Sequence, residues 1–511
     1  MQVSRRWTGP AALFAGAALV SGFSLLRGID PFDEGLVLQA ARRVSQGQVP
    51  YRDFLWSYGP AQPYLLAGLF KLFGTSLVPW RVLWMLANAG TAVVAFALVR
   101  RRAGVAWALA AWLAVACAMA QPRSANPFPF ALLAALAAVL VTAGEAPVRA
   151  RAVRAGLLVG VAAAFRLDFA LYGLAGVLVM LAVETRRVRA LGLCVAGAAG
   201  LALLAYLPFA IADGPGSLYD ALVATSLRER DYWTLPFPWS YGGPSVTSAK
   251  GVKHLLDFYV PALLLAGLAV AAGAALLRAI RERRVPAAWA GMLAFGLGAL
   301  AYLLSRTDDF HSTPLIVLLS VLLPLVIVWA LRERPPAGLP IAAAATVVFA
   351  LLLVHGTANR LSALFEPPRM SEVHLAVADG AEAPPAEARA LERVVALVHV
   401  RVPPDQPFYV APARSDLVRF TNPLLYVLAE RDNATDRDFG LIARPGTQRR
   451  IVAQLERARP PVVVRWTDPL GSRREPNLRG SSSGVHLLDA WLARNYRLAE
   501  RLHHYDVLVP R

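Results

Sequence analysis

The chain has 511 residues, of which 57% are hydrophobic and only 17% charged, against roughly 25% charged in ordinary soluble domains. With a mean hydropathy of +0.47, that composition belongs in a membrane. Lys+Arg 52 against Asp+Glu 34 leaves a formal charge of +18, but the arginines come in short clusters between apolar runs and not on one polar module, which excludes a soluble nucleic-acid binder. Cys117 and Cys194 both lie inside apolar runs, so a disulfide framework and a cysteine-based zinc site are excluded as well.

A helix needs about 20 apolar residues to cross a bilayer core. The predicted spans, in chain order, are 10–26, 77–99, 104–120, 128–143, 155–165, 169–183, 190–211, 258–277, 287–304, 312–331 and 337–355. Arg5 and Arg6 ahead of the first run also fit a cleavable signal peptide, but the run is long for one and has no clear small-residue cleavage site, so it reads as a span. Segment 155–183 reads as two short limbs meeting at Arg166-Leu167-Asp168, because one long helix would put Arg154 and Arg186 on opposite sides. Limbs of that length fall short of a full bilayer, which predicts a turn below the surface, buried in protein. Ionisable groups at such depth are costly and usually paired or functional.

The loops sort by charge. Arg5/Arg6, Arg100–Arg102, Arg149/Arg151/Arg154, Arg186/Arg187/Arg189, Arg278/Arg281/Arg283/Arg284 and Arg332/Arg334 fall on alternate connections. The positive-inside rule makes those loops, and the N-terminus, cytoplasmic. Asp30, Asp33, Glu34, Asp53, Asp168, Asp213, Asp220, Asp231, Asp308 and Asp309 then share the outer face. The Arg and Ala bias resembles that of a GC-rich bacterial genome, so the expected location is a bacterial cytoplasmic (inner) membrane.

Residues 357–511 contain no run long enough to span. The Pro/Ala/Glu stretch Glu382–Glu387 reads as a linker. It is followed by a helical pattern at 387–400, a strand Phe408–Ala411, a helix around Leu417–Leu428 and another at Thr447–Arg457. A strand Val462–Trp466, a helix Val485–Arg494 and a strand near Tyr505–Val509 complete the pattern. Such alternation predicts a small α/β domain, and loop parity puts it outside. The expected fold is thus mostly α: a polytopic membrane module over 1–356 with about eleven spans, then an extracytoplasmic α/β domain over 357–511.

The most informative stretch is the first outer loop. It holds Asp30-Pro31-Phe32-Asp33-Glu34-Gly35, an amphipathic segment Leu36–Ser45, and then Gly47 through Pro60, ahead of a second apolar face Pro63/Leu66/Leu69/Phe70. Both faces suit short helices lying along the membrane surface. An Asp-Glu pair soon after the first span, a surface helix, and a Gly…Pro-Tyr-Arg-Asp…Gly-Pro stretch resemble the GT-C membrane glycosyltransferases, nearest to the bacterial aminoarabinose and protein-mannosyl transferase type (family 39 style). The resemblance implies an enzyme that moves a sugar from a polyprenyl-phosphate carrier to a glycan, lipid or protein acceptor on the outer face. It also implies that the Asp of the pair, here Asp33 with Glu34 beside it, is the catalytic base. Aminoarabinose transferases carry Glu-Lys-Pro-Pro in this loop where this chain has Trp56-Ser57-Tyr58-Gly59-Pro60, which points away from an aminoarabinose donor.

The chemistry fits independently of any family. Displacement at an anomeric carbon needs a carboxylate to take the acceptor's proton and positive groups to meet the departing phosphate. Candidate substrate-binding residues on the same face are Arg52 and Asp53 in the first loop, Arg166 and Asp168 at the buried turn, and Arg306, Asp308 and His311 at the mouth between two spans, with Lys250 and Lys253 weaker. Each also has a plainer reading: a helix cap for Asp33/Glu34, an ion pair for Arg166/Asp168, interfacial snorkelling for Arg306/His311. No metal site is assigned, although a divalent ion between Asp308 and Asp309 is conceivable. No nucleotide-binding motif occurs. A transporter or flippase of lipid-linked sugars, a lipid-linked glycan ligase or polymerase, and a non-catalytic scaffold are the alternatives.

Overall fold

The computed structural model describes residues 2–120, 126–185, 188–239, 241, 247–417, 421–438 and 441–511. Arg186 and Arg187, and the side chains of Arg5, Arg6 and Lys250, fall outside this description. Eleven of the described helices correspond to the predicted spans. They are α1 (Gln2–Gly22), α4 (Val78–Ala103), α5 (Val105–Met119), α6 (Phe128–Thr142), α7 (Val148–Phe165), α8 (Leu167–Thr185), α9 (Val188–Asp213), α10 (Ala249–Glu282), α11 (Ala287–Ser305), α12 (Asp309–Glu333) and α13 (Gly338–Phe365). Two further helices, α2 (Asp33–Ser45) and α3 (Ala61–Phe73), form the first loop. Seven of the helices are long and apolar enough to cross a membrane by length and composition.

α12 runs through the middle of the bundle, buried from Ser312 to Ala330. The neighbouring helices present alanine where they meet, as at Ala89, Ala92, Ala131, Ala135 and Ala138. In lipid there is no solvent-driven force between apolar helices, so close backbone approach through small residues supplies the packing. α7 and α8 are longer than the limbs expected, because α7 begins at Val148 and takes the basic cluster into its first turns. The break between them is where it was predicted: Arg166 is extended, at φ −152° and ψ 121°.

Beyond α13, strands β1 (Ser371–Glu372) and β2 (Glu382–Ala383) pair antiparallel. They are followed by α14 (Pro385–Arg401), β3 (Tyr409–Pro412), α15 (Leu424–Leu428), α16 (Pro445–Ala458), β4 (Val463–Trp466), α17 (Leu487–Asn495), β5 (Tyr496–Leu502) and β6 (Tyr505–Pro510). The four-stranded sheet has the order β3-β4-β6-β5, with β3 and β4 parallel and the other pairs antiparallel. One face packs on α16 and α17 through Ile451, Leu455, Leu488 and Leu492. The other packs on Val394 and Val398 of α14, and that core continues without a break into Leu36, Leu38 and Trp56 of the first loop.

Several sequence expectations are corrected here. Glu382–Glu387 is not a linker: the Glu382 N–H donates to the Leu26 carbonyl at 2.7 Å, and Pro385 opens α14, where its fixed φ suits a first helical position. α13 continues to Phe365, past the expected end of the span at 355. Only Leu424–Leu428 of the helix expected at Leu417–Leu428 is helical among the described residues, 418–420 lying outside them. β5 was not expected, because an edge strand reading Tyr-Arg-Leu-Ala-Glu-Arg-Leu carries charges where a buried strand carries apolar residues.

Candidate active site

The first loop is built around its acids. Asp30 Oδ1 accepts from the N–H groups of Phe32 at 3.0 Å and Asp33 at 3.1 Å, so Asp30 and not Asp33 organises the entry into α2. Burial, then the carboxylates of Asp33 and Glu34, push the Asp30 carboxyl up to about 7. Asp33 opens α2 half-buried, beside a helix N-terminus that favours negative charge.

Glu34 does something else. Its Oε1 accepts from Arg81 Nε at 2.6 Å and Trp80 Nε1 at 2.8 Å, and its Oε2 from Arg81 Nη2 at 2.8 Å and the Asp30 N–H at 3.3 Å. Arg81 also donates to the carbonyls of Leu25 and Gly28. The pair is sealed, with side chains 0% and 3% exposed. A carboxylate whose oxygens already take four donors, including a guanidinium, is a poor proton acceptor. Consecutive positions on a helix point about 100° apart, so the two acids of one motif face different surroundings.

Two glycines record how tightly the loop is held. A Cβ on Gly35 would lie 2.3 Å from the Leu424 nitrogen, so α2 passes directly beneath α15. A Cβ on Gly59 would lie 2.1 Å from the Ala164 carbonyl oxygen, and the Gly59 N–H donates to the Phe165 carbonyl at 3.0 Å. The Gly-Pro of the motif therefore docks on the end of α7, next to the break, and brings Tyr58 against Arg166. Above α2, Arg43 pairs with Asp438 at 2.8 Å, both side chains buried.

At the break, Arg166 donates from Nε and Nη2 to Asp168 at 2.9 and 2.5 Å, and from Nη1 to Asn126 Oδ1 at 2.6 Å and the Tyr302 hydroxyl at 3.3 Å. Its guanidinium lies 5.0–5.3 Å from the rings of Tyr58, Phe169 and Tyr302, within cation–π range. Asn126 Nδ2 donates to the Tyr58 hydroxyl at 3.1 Å. Burial pushes the Tyr58 phenol up to about 12, the carboxylates of Asp33 and Asp168 adding to the shift and Arg166 opposing it. Asp33, Tyr58, Arg166 and Asp168 thus share one electrostatic neighbourhood. The Arg166–Asp168 pair, 10% and 32% exposed, is open on the carboxylate side.

From Tyr302 the polar seam continues. Its ring lies 4.5 Å from that of His311. Asp308 caps α12 by accepting from the His311 N–H at 2.9 Å and holds His311 Nδ1 at 2.7 Å, which leaves Nε2 as the ring atom for a ligand. Burial works against the Asp308 charge, but the His311 and Arg306 partners hold its carboxyl below the usual range. Arg306 is committed elsewhere: to Asp308 at 2.6 Å, to Glu475 at 2.8 and 3.0 Å and to the Trp233 carbonyl at 2.9 Å. A phosphate would have to displace Glu475, and as it stands Arg306 straps the bundle to the C-terminal domain.

Arg52 and Asp53 stand apart. They form an exposed pair at 2.9 Å, and Asp53 Oδ2 closes its own turn by accepting from the Val49 N–H at 2.7 Å. Arg52 lines a separate cleft of about 360 Å³ with Tyr51, Ser217, Asp220 and Arg450. Asp308 and Asp309 diverge: Asp309 lines a second cavity of about 120 Å³ with Lys253, Asp257 and His355, where Lys253 and His355 each contact Asp257, at 2.7 and 2.9 Å. The adjacent acids are not arranged around one ion. Asp30, Tyr58, Asn126 and Tyr302 belong to the seam without having been expected as site residues; Asp30 and Tyr58 had a signal, since both sit inside the first-loop stretch.

No protein-family model matches the chain, nor does any curated protein sequence. Among solved structures, it is similar to ArnT from Cupriavidus metallidurans bound to undecaprenyl phosphate, at 16% identity and a TM-score of 0.57, over 98% of each chain. The apo state of the same protein gives 15% identity and a TM-score of 0.55 over the same shares. With bundle, surface loop and C-terminal domain all inside that coverage, the chain is a multi-pass membrane protein of the GT-C fold.

Proposed function

We propose that this protein is an integral-membrane glycosyltransferase that moves a hexosyl or pentosyl group from a polyprenyl-phosphate carrier to an envelope glycan, lipid or protein. The observation that carries the reading is the seam itself: a half-buried carboxylate, Asp33, acts on the same Tyr58 phenol as the guanidinium of Arg166, whose pair with Asp168 is open on the carboxylate side. The fold adds weight, since the ArnT of the first comparison is bound to undecaprenyl phosphate.

In this reading Asp33 takes the proton of the acceptor hydroxyl as its oxygen attacks the anomeric carbon. The bond from that carbon to the phosphate oxygen breaks, and the electron pair leaves with the phosphate. Arg166, held in place by Asp168 and Asn126, meets the developing charge, with His311 Nε2 as a second donor. A single displacement inverts the anomeric configuration. Glu34 and Arg81 hold the loop, and Asp168 is a positioning residue. The basic loops orient the bundle with its N-terminus in the cytoplasm and the seam and C-terminal domain outside the cytoplasmic membrane.

The test is lipid mass spectrometry on a deletion strain complemented with the native chain or with Asp33→Asn. The expected result is that a polyprenyl-phosphate sugar accumulates and an envelope molecule loses one sugar, and that only the native chain reverses both. Full rescue by Asp33→Asn would overturn the assignment of the base.

A further inference from the structure

Far from the seam in sequence, three metal-binding side chains of the C-terminal domain converge. Glu387 lies in the first turn of α14, and His503 and His504 form the turn between β5 and β6. One ligand atom from each lies within 4.8 Å of the others. His503 Nε2 is 3.9 Å from Glu387 Oε2, and the two imidazole centroids are 3.7 Å apart. His504 Nε2 lies 4.0 Å from Oδ2 of Asp468, whose other oxygen is occupied by the Leu470 N–H.

Three further observations set this cluster apart from a chance grouping. Glu387 Oε2 is buried with no hydrogen-bond partner, an unusual and costly condition for a carboxylate oxygen. Its other oxygen accepts from the Tyr505 hydroxyl, which in turn accepts from Asn422 Nδ2 at 3.1 Å. Such an outer chain fixes which oxygen points at the histidines, as the supporting shell of a metal ligand does. Finally, His503 adopts a left-handed backbone at φ +44°, where a glycine or asparagine would be at ease.

We propose that Glu387, His503 and His504 bind a structural zinc ion, with Asp468 or water as the fourth ligand. With Asp468 as the fourth ligand, two neutral imidazoles and two carboxylates balance a divalent charge, and a nitrogen and oxygen set of this kind suits Zn²⁺. Ligand atoms about 2.0–2.2 Å from the ion require the cluster to contract slightly, and a hairpin turn and a first helical turn can both accommodate this. The ion would staple the start of α14 to the β5–β6 hairpin. α14 follows directly from β2, whose Glu382 N–H holds the Leu26 carbonyl ahead of the first loop. The other histidine and acid cluster, Asp416, His486 and Asp489, is unlike it. Its Asp416 already pairs with Arg414 at 2.7 Å and accepts from the Ser482 hydroxyl, and its Asp489 accepts from Ser415, so it serves as the control.

The test uses the full-length chain in detergent, stripped with EDTA and re-equilibrated with Zn²⁺, with bound metal counted after desalting and affinity read by competition with a chromogenic chelator. The expected result is one zinc per chain, a higher Tm with zinc than without, and X-ray absorption showing nitrogen and oxygen ligands only. His504→Gln and Glu387→Gln should weaken binding at least about 100-fold and Tyr505→Phe about 10-fold, with no zinc-dependent rise in Tm for the first two. His503→Gly, whose backbone suits φ +44°, should fold and lose the ion, so a loss of binding cannot be ascribed to misfolding. His486→Ala should bind as the native chain does. Native binding by His503→Gly and His504→Gln, loss of binding in His486→Ala, or no zinc on the native chain would overturn the proposal.

Discussion

Two of the arginine–carboxylate pairs described above, Glu34–Arg81 and Arg166–Asp168, lie at the same end of the bundle and differ instructively. Glu34–Arg81 is closed on all sides, with every carboxylate oxygen occupied and backbone carbonyls accepting from both Nη groups of the guanidinium. Arg166–Asp168 has the same chemistry, but it is walled by aromatic rings and its carboxylate is a third exposed. A sealed pair can only hold structure, because a ligand has no route to it. A pair with one open side can exchange part of its solvation for a ligand's charge. Burial, and not residue type, separates the scaffold pair from the proposed site here.

Substitutions can break the comparison at either end. The largest effect on stability is expected from Arg81→Met, which leaves Glu34 buried and uncompensated: a loss of about 3–5 kcal/mol, read as a large fall in Tm or failure to purify a folded chain. Asp33→Asn should do the converse, lowering transfer by about 10²–10⁴-fold with an unchanged Tm. Arg166→Lys keeps the charge but loses the two-pronged grip on Asp168. Transfer should fall by about 100-fold, with a smaller loss of stability than Arg81→Met. Equal damage from Arg81→Met and Arg166→Lys in both readouts would erase the distinction.

The smallest effect concerns Asp30. Burial and its acidic neighbours raise its carboxyl from 3.8 to about 7 in the fold, so the folded protein holds a proton that the unfolded chain has released. Its stabilising contribution is complete below pH 4 and is lost as pH rises through 7. Asp30→Asn keeps the oxygen that accepts from Phe32 and Asp33 and removes the titration. Tm measured from pH 5 to 8 should decline less in the variant, the difference at pH 8 being about 1–2 kcal/mol in its favour. Parallel pH curves would show that Asp30 is ionised in the fold.

Much of this was legible in the sequence. Apolar runs bounded by arginine clusters located all eleven helices, and a charged pair inside an apolar run marked the break at Arg166, since such a pair would not be tolerated there without partners. The division of labour between Asp33 and Glu34 was not legible, because the partner that decides it, Arg81, comes from α4. Arg42 and Arg43 lie in the segment Leu36–Ser45 that reads as amphipathic, yet both are buried, Arg43 against Asp438. Long-range ion pairs of that kind leave no local pattern. The expected linker misled for the opposite reason: Pro, Ala and Glu resemble a linker in composition, while Pro385 and Glu382 each had a definite structural use.

The burial of α2 has a consequence in time. Arg43 and Asp438 are 395 residues apart, and at a synthesis rate of about 5–20 residues per second the helix emerges roughly 20–80 s before its counterpart. For that interval the residue assigned as the base, and the acids around it, are present without the domain that covers them. The first loop therefore reaches its final packing long after it has been made. Whatever depends on that covering must wait until Asp438 and the residues around it have been made.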